Sequence, residues 1–202
     1  MEIILLDPYL WRSMVEMRFL RRINLVGVAG GILAAIVLIS SMVYKHYWWE
    51  LIIGDNVGCL KASALNYELT ILGTLVEVKI LWFINLIFQL LFLESIISML
   101  IYSFASNRGF SEKLLKFAYL KPLAILLLFL MALAILFLLL PSILLNTVFP
   151  VVGSYTFSID YGNVSIEIPL TANFTKTFWL MVATTLLYLL APIYHRKIVL
   201  KQ

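Results

Sequence analysis

The residues best able to do chemistry lie inside an apolar run. The stretch TLVEVKILWFINLIFQLLFLES, residues 74–95, carries Glu77, Lys79 and Glu94, with Asn85 and Gln89 between them. A carboxylate within a bilayer core is costly unless it is protonated, paired, or facing water inside the protein. Glu94 is therefore a candidate for carrying a proton or ion, and equally for a contact between helices or with a partner subunit. The uncharged stretch Ile80–Leu93 has 14 residues and rises roughly 21 Å as a helix, short of a hydrocarbon core of about 30 Å. Extending it toward the N-terminus takes in both Lys79 and Glu77, whereas extending it the other way takes in Glu94 alone. The second choice costs less. It places the core from about Ile80 to Tyr102, with Lys79 and Glu77 at one interface and Glu94 roughly 12 Å inside the other. Asn85 and Gln89 stand one turn apart on another face, and Thr184, Thr185 and Tyr188 in a later apolar run are candidate hydrogen-bond partners for them.

Other chemistry is excluded by composition. The two histidines, His46 and His195, fall on opposite sides of the membrane in the topology derived below, so they cannot share a metal or a haem. One cysteine, Cys59, rules out an intrachain disulfide or a CxxC site and reads as a small apolar residue in a loop. No HExxH, GxSxG or P-loop occurs. The expectation is a protein that is not an enzyme and has neither cofactor nor metal.

The elements that hold these residues follow from hydropathy. Of 202 residues, 63% are hydrophobic and 13% charged, against about half and a quarter in a soluble domain. The reading is an all-α membrane protein. A four-helix transmembrane bundle carries an N-terminal interfacial amphipathic helix and a small extracytoplasmic β-hairpin, all in one domain, 1–202. The spans are 24–44, 72–105, 123–146 and 177–194. The outer loops are 45–71 and 147–176, the inner loop is 106–122, and 195–202 is a tail. Eleven basic residues fall in 1–23, 106–122 and the tail, and four (Lys45, Lys61, Lys79 and Lys176) on the other side. The positive-inside rule then puts both termini in the cytoplasm, in the plasma membrane, with the first span retained as a signal anchor. A net charge of +4 distributed in this way is a topology signal and does not indicate nucleic acid.

The segments between the spans have their own patterns. In DPYLWRSMVEMRFLRR, Asp7 can cap and Pro8 can open a helix of residues 1–23, with Arg12, Arg18, Arg21 and Arg22 reaching lipid headgroups. Gly27, Gly31 and Ala35 form a small-residue stripe for helix packing, against another span or a second protein. Trp48 and Trp49 in HYWWE suit the membrane interface. Four spans with tryptophans and a cysteine in the first outer loop invite comparison with the claudin group, whose loop needs a paired cysteine. Cys59 stands alone, and the comparison fails there. SYTFSIDYGNVSIEIPL alternates as a hairpin that turns at Asp160–Asn163. A lone hairpin is marginal, so its apolar face should cover something. The only sequons, Asn163-Val-Ser and Asn173-Phe-Thr, fall in this outer loop. If glycosylated, they suit an archaeal or eukaryotic cell surface. The inner loop SNRGFSEKLLKFAYLKP reads as a short basic amphipathic turn capped by Ser111.

These features imply a non-catalytic multi-pass subunit of a larger membrane complex, contributing assembly and helix packing. The partners would be the lipid bilayer and either other membrane subunits or copies of itself. The alternative is a small oligomeric transporter or channel using Glu94. A third reading is a permease component that touches a separate ATPase through its inner loop.

Overall fold

The computed structural model describes residues 23–54, 57–104, 110–139, 141–142, 149–161 and 164–199. The expected interfacial helix and the hairpin turn with Asn163 lie outside the described residues. Four helices dominate: α1 Leu25–Met42, α2 Lys79–Phe104, α3 Ser111–Ala134 and α4 Lys176–Tyr194. α3 and α4 continue as single wide π-helical turns, Ile135–Leu139 and His195–Val199. All four are long and apolar enough to cross a membrane. A helix satisfies its own backbone, which a spanning segment requires. α1 packs on α2 and α4, and α3 packs on the same two, so the helices form a square in chain order.

α3 corrects the expected boundaries. It starts at Ser111, so most of the segment expected as an inner loop is the first three turns of the third helix. Glu, Lys, Leu and Ala are good helix formers, and Pro122, read as a boundary, lies inside the helix and is buried. Proline has no N–H to give the carbonyl four residues back. Ser95 Oγ of α2 instead donates to that carbonyl, Ala118 O, at 3.0 Å.

The fold is mostly helical but not all-α. Six strands form one antiparallel sheet: β1 Trp49–Ile53, β2 Gly58–Ala62, β3 Tyr67–Ile71, β4 Thr74–Leu75, β5 Gly153–Tyr161 and β6 Val164–Phe174. Their order is β4-β3-β2-β1-β6-β5. The first loop, expected to be plain, is thus a four-strand meander, and the expected hairpin is its continuation through β1 and β6, not a separate unit. The β1–β6 ladder runs from Trp49–Phe174 to Ile53–Leu170. It stops at Pro169, which has no N–H for a further rung, and at Gly54, whose φ of +58° turns the chain away. Beyond that point the rungs from Thr156–Pro169 to Tyr161–Val164 have no third strand among the described residues, and the hairpin extends there as a two-stranded arm.

The sheet closes one end of the bundle, here called the sheet end. Trp48 and Trp49, expected as interface anchors, are both fully buried there. Trp48 meets the Phe129 ring edge-on, and Trp49 packs on Phe137 while donating to Val151 O. Trp48 precedes β1 and Trp49 opens it, and both rings pack against α3 and its continuation.

Candidate functional site

The polar residues singled out on α2 do not meet those on α4. Gln89 Nε2 donates to Leu65 O at 2.7 Å, and Leu65 sits in the β2–β3 turn, fully buried. Asn85, with its amide oriented to match donors to acceptors, donates to Leu81 O and accepts from the N–H groups of Asn66 and Tyr67. Both side chains therefore hold one β-turn on the end of the bundle. Ser63 Oγ tightens that turn by accepting from Asn66 N at 2.8 Å. Thr184 and Thr185 bond back to carbonyls of their own helix, Leu180 O and Met181 O. Tyr188 is fully buried against Gly30 of α1, with its hydroxyl near Ser95 but without a well-formed hydrogen bond.

Glu94 is paired. Lys121 Nζ of α3 lies 2.6 Å from Glu94 Oε2 and 3.6 Å from the centre of the Phe117 ring. Glu94 lies fifteen residues past Lys79, the first residue of α2, about 22 Å along the helix axis. Proximity to Ser95, Ala118 and Pro122 puts the ion pair level with the proline in α3.

The glycine stripe lies inside the chain. A Cβ at Gly27 would stand 2.3 Å from Ser103 Oγ, and one at Gly31 would stand 2.6 Å from Leu100 Cδ2, so both face α2. Gly30 faces α4, where a Cβ would be 3.1 Å from the Tyr188 ring. Ala35 is half-buried against the core.

A polar cluster at the far end of the bundle was not anticipated. Asn24, wholly buried, caps α1 by accepting from Gly27 N at 3.0 Å. Its Nδ2 donates to Tyr102 Oη at 3.0 Å and to Ala191 O at 2.9 Å, and its backbone N–H donates to Ser103 O. His195 is buried beside Tyr102, with ring centroids 5.4 Å apart. One asparagine thus joins α1, α2 and α4. Span lengths counted from the sequence would have placed Asn24, Tyr102 and His195 at one level, which is the signal that was available. His46 is exposed at the opposite, sheet end.

At the sheet end, two clefts lie between strands and helices. One, of about 580 Å³, is lined by Lys45, His46, Glu50, Lys61 and Lys176 among others. The other, of about 740 Å³, includes Lys45, Glu68, Glu77 and Lys79. All four lysines that the charge count assigned to the non-cytoplasmic side line these clefts. Tyr47 Oη donates to Glu68 Oε2 at 2.9 Å, and Lys61 is 3.7 Å from the same carboxylate. Burial, then the Glu68 carboxylate, pushes the Tyr47 phenol well above its ordinary range. Cys59, on β2 opposite Ile52 and Thr70, also has its thiol pushed up, chiefly by burial. Asn173 is exposed within the β6 ladder, and Thr175 of the same sequon donates to Tyr47 O. Among the described residues, no three His, Cys, Asp or Glu side chains converge as a metal site.

No family model, no curated protein and no solved structure matches this chain.

Proposed function

We propose that this chain is a non-catalytic, multi-pass membrane subunit of a larger assembly, with the sheet outside the cell and both termini in the cytoplasm. The observation that carries the reading is the β5–β6 arm. Among the described residues its outer rungs lack a third strand, and Ile166 is exposed on it and Tyr155 at its base. A two-stranded ribbon is marginal in water, so a neighbouring protein's surface is what would hold it. Two further observations support a scaffold over a conduit. Asn85, Gln89 and Thr184 are taken up by structural hydrogen bonds. The β1–β6 ladder ties both outer loops, and with them both helix pairs, so the sheet end resists the rocking that alternating access needs.

Purification from the native membrane in mild detergent, with mass spectrometry of what accompanies the chain, tests the reading. Stoichiometric partners are expected, and their loss is expected when Tyr155 and Ile166 are both replaced by serine. A chain that is solitary and monodisperse in lipid would overturn it.

The half-exposed Glu94 carboxylate supports a second reading, a small oligomeric transporter. Vesicles containing the protein should then pass protons, ions or small solutes, and Glu94→Gln should abolish the flux. Tight vesicles under several gradients would remove that reading.

A further inference from the structure

The Glu94–Lys121 pair faces outward from the bundle. The Glu94 side chain keeps 46% of its exposure and Lys121 keeps 19%. Around Glu94 on α2 stand the exposed Ile87, Leu90, Ile97 and Ile101, and along α3 from Lys121 stand the exposed Phe117 and Leu128. Ala124, also exposed, is the small residue one turn from Lys121 on the same face. This is an apolar, lipid-like surface with one ion pair set into it. Lys121 folds back along α3 over the Phe117 ring, toward the end that bears Lys113 and Lys116, and meets Glu94 there. In a bilayer, a pair so placed is held at a cost, and further charge-assisted contacts offset that cost.

We propose that this α2–α3 face docks a second copy of the chain, in a dimer whose twofold axis runs along the membrane normal. The inference rests on the membrane reading above. Two copies inserted with the same topology can be related by a closed twofold only about that axis, and such a rotation preserves depth. Glu94 and Lys121 are at one depth because they are paired. When the two faces meet, left opposes right, so each Glu94 opposes its twin's Lys121. The pair is therefore self-complementary, and two such pairs close into a square of four alternating charges. Ala124 lets the helices approach closely enough for this, as small residues do in membrane interfaces.

The test exchanges the charges. A chain carrying both Glu94→Lys and Lys121→Glu keeps its internal ion pair and pairs properly with itself. Against the unaltered chain, it sets carboxylate on carboxylate and ammonium on ammonium. The two forms, separately tagged, are co-expressed and recovered within patches of native bilayer. Each should pair with itself, and mixed pairs should fall about tenfold or more below their statistical share, because like charges juxtaposed in an interface repel. Mixed pairs at the statistical share, or an unaltered chain that is monomeric in the bilayer, would overturn the proposal. If the exchanged chain does not accumulate, Ala124→Trp alone decides. It leaves the ion pair intact and should abolish self-pairing, and an unchanged dimer counts against the proposal. A chain that resists alkaline extraction and keeps its other partners but never self-pairs overturns this inference alone. A chain that alkali strips from the membrane overturns the membrane reading beneath it.

Discussion

The two ends of the bundle are closed by different means. At the sheet end the closure is made mainly by backbone. Ladders join β2, β1 and β6 over five rungs each, and buried Trp48, Trp49 and Leu65 fill the space beneath. At the far end the closure among the described residues runs through side chains and converges on Asn24, which reaches Gly27, Tyr102 and Ala191. A backbone ladder shares its stabilisation among many rungs and tolerates most side-chain changes. A side-chain hub concentrates it in one residue. The two ends should therefore respond very differently to single substitutions.

The largest expected effect is at the hub. Asn24→Ala removes three buried bonds at once, the cap on the Gly27 N–H and the donations to Tyr102 Oη and Ala191 O, and should destabilise the protein by about 3 kcal/mol. Denaturant titration in mixed micelles reads this. A loss below about 1 kcal/mol would mean that the far end has no hub. Next comes the glycine stripe that brings α1 to α2. Gly27→Ala pushes on Ser103, whose hydroxyl is already bonded to Met99 O, and should cost about 1–2 kcal/mol. Gly31→Ala meets one side chain, Leu100, at Cδ2 and Cγ, which must swing aside, and the gain in helix propensity, about 1 kcal/mol, offsets part of that, so the net cost should be smaller than at Gly27. Equal effects of the two in thermal melts would show that the stripe is not graded in this way.

At the sheet end the effects should be smaller. Tyr47→Phe removes the bond to Glu68 and should cost about 1 kcal/mol. It also carries a pH signature. The folded phenol is held above its ordinary range, so the unfolded chain releases this proton first, near pH 10. The contribution is fully present below about pH 10 and declines as pH rises above it. Melts taken up to about pH 11 should show the unaltered protein losing stability more steeply than the phenylalanine variant, and parallel profiles would refute this. The smallest change is Cys59→Ser on β2, expected within about 0.5 kcal/mol. With its thiol pushed up by burial, Cys59 should also react slowly with maleimide at neutral pH, and rapid labelling would show that the strand opens.

The spans were legible because a continuous apolar run is a local property. The charge argument puts the apolar core of α2 from Ile80, next to its observed start at Lys79, but the span bound at 72 is overturned, because Thr74–Leu75 is β4. The start of α3 was not legible. A proline usually bounds a helix, and the hydroxyl that takes up the carbonyl freed by Pro122 comes from another helix, at Ser95. The sheet escaped for a similar reason. The alternation of β5 and β6 is visible in the sequence, but the pairing of β6 with β1 joins segments far apart in the chain. Trp48 and Trp49 have the composition of interface anchors, and their burial depends on a sheet that composition does not announce. Among the candidate site residues, the sequence shows that Glu94 needs a partner, but Lys121 reads as part of a loop. Asn85 and Gln89 were recognised as polar contacts, yet they bond to turn backbone and not to Thr184 or Tyr188. Asn24, Tyr102 and His195 each looked like an ordinary residue at the edge of a span.

The central ladder also dictates an order of events during synthesis. β1 can pair with β2 as soon as the first loop emerges, but its other edge must wait for β6, more than a hundred residues later. Until then a growing chain presents a half-built sheet with a bare strand at the point where its second half must land. Any interruption between the second and fourth helices leaves that strand open to whatever extended segment arrives first. Fragments ending there should clump or recruit a chaperone, while the completed chain has already covered the strand from within.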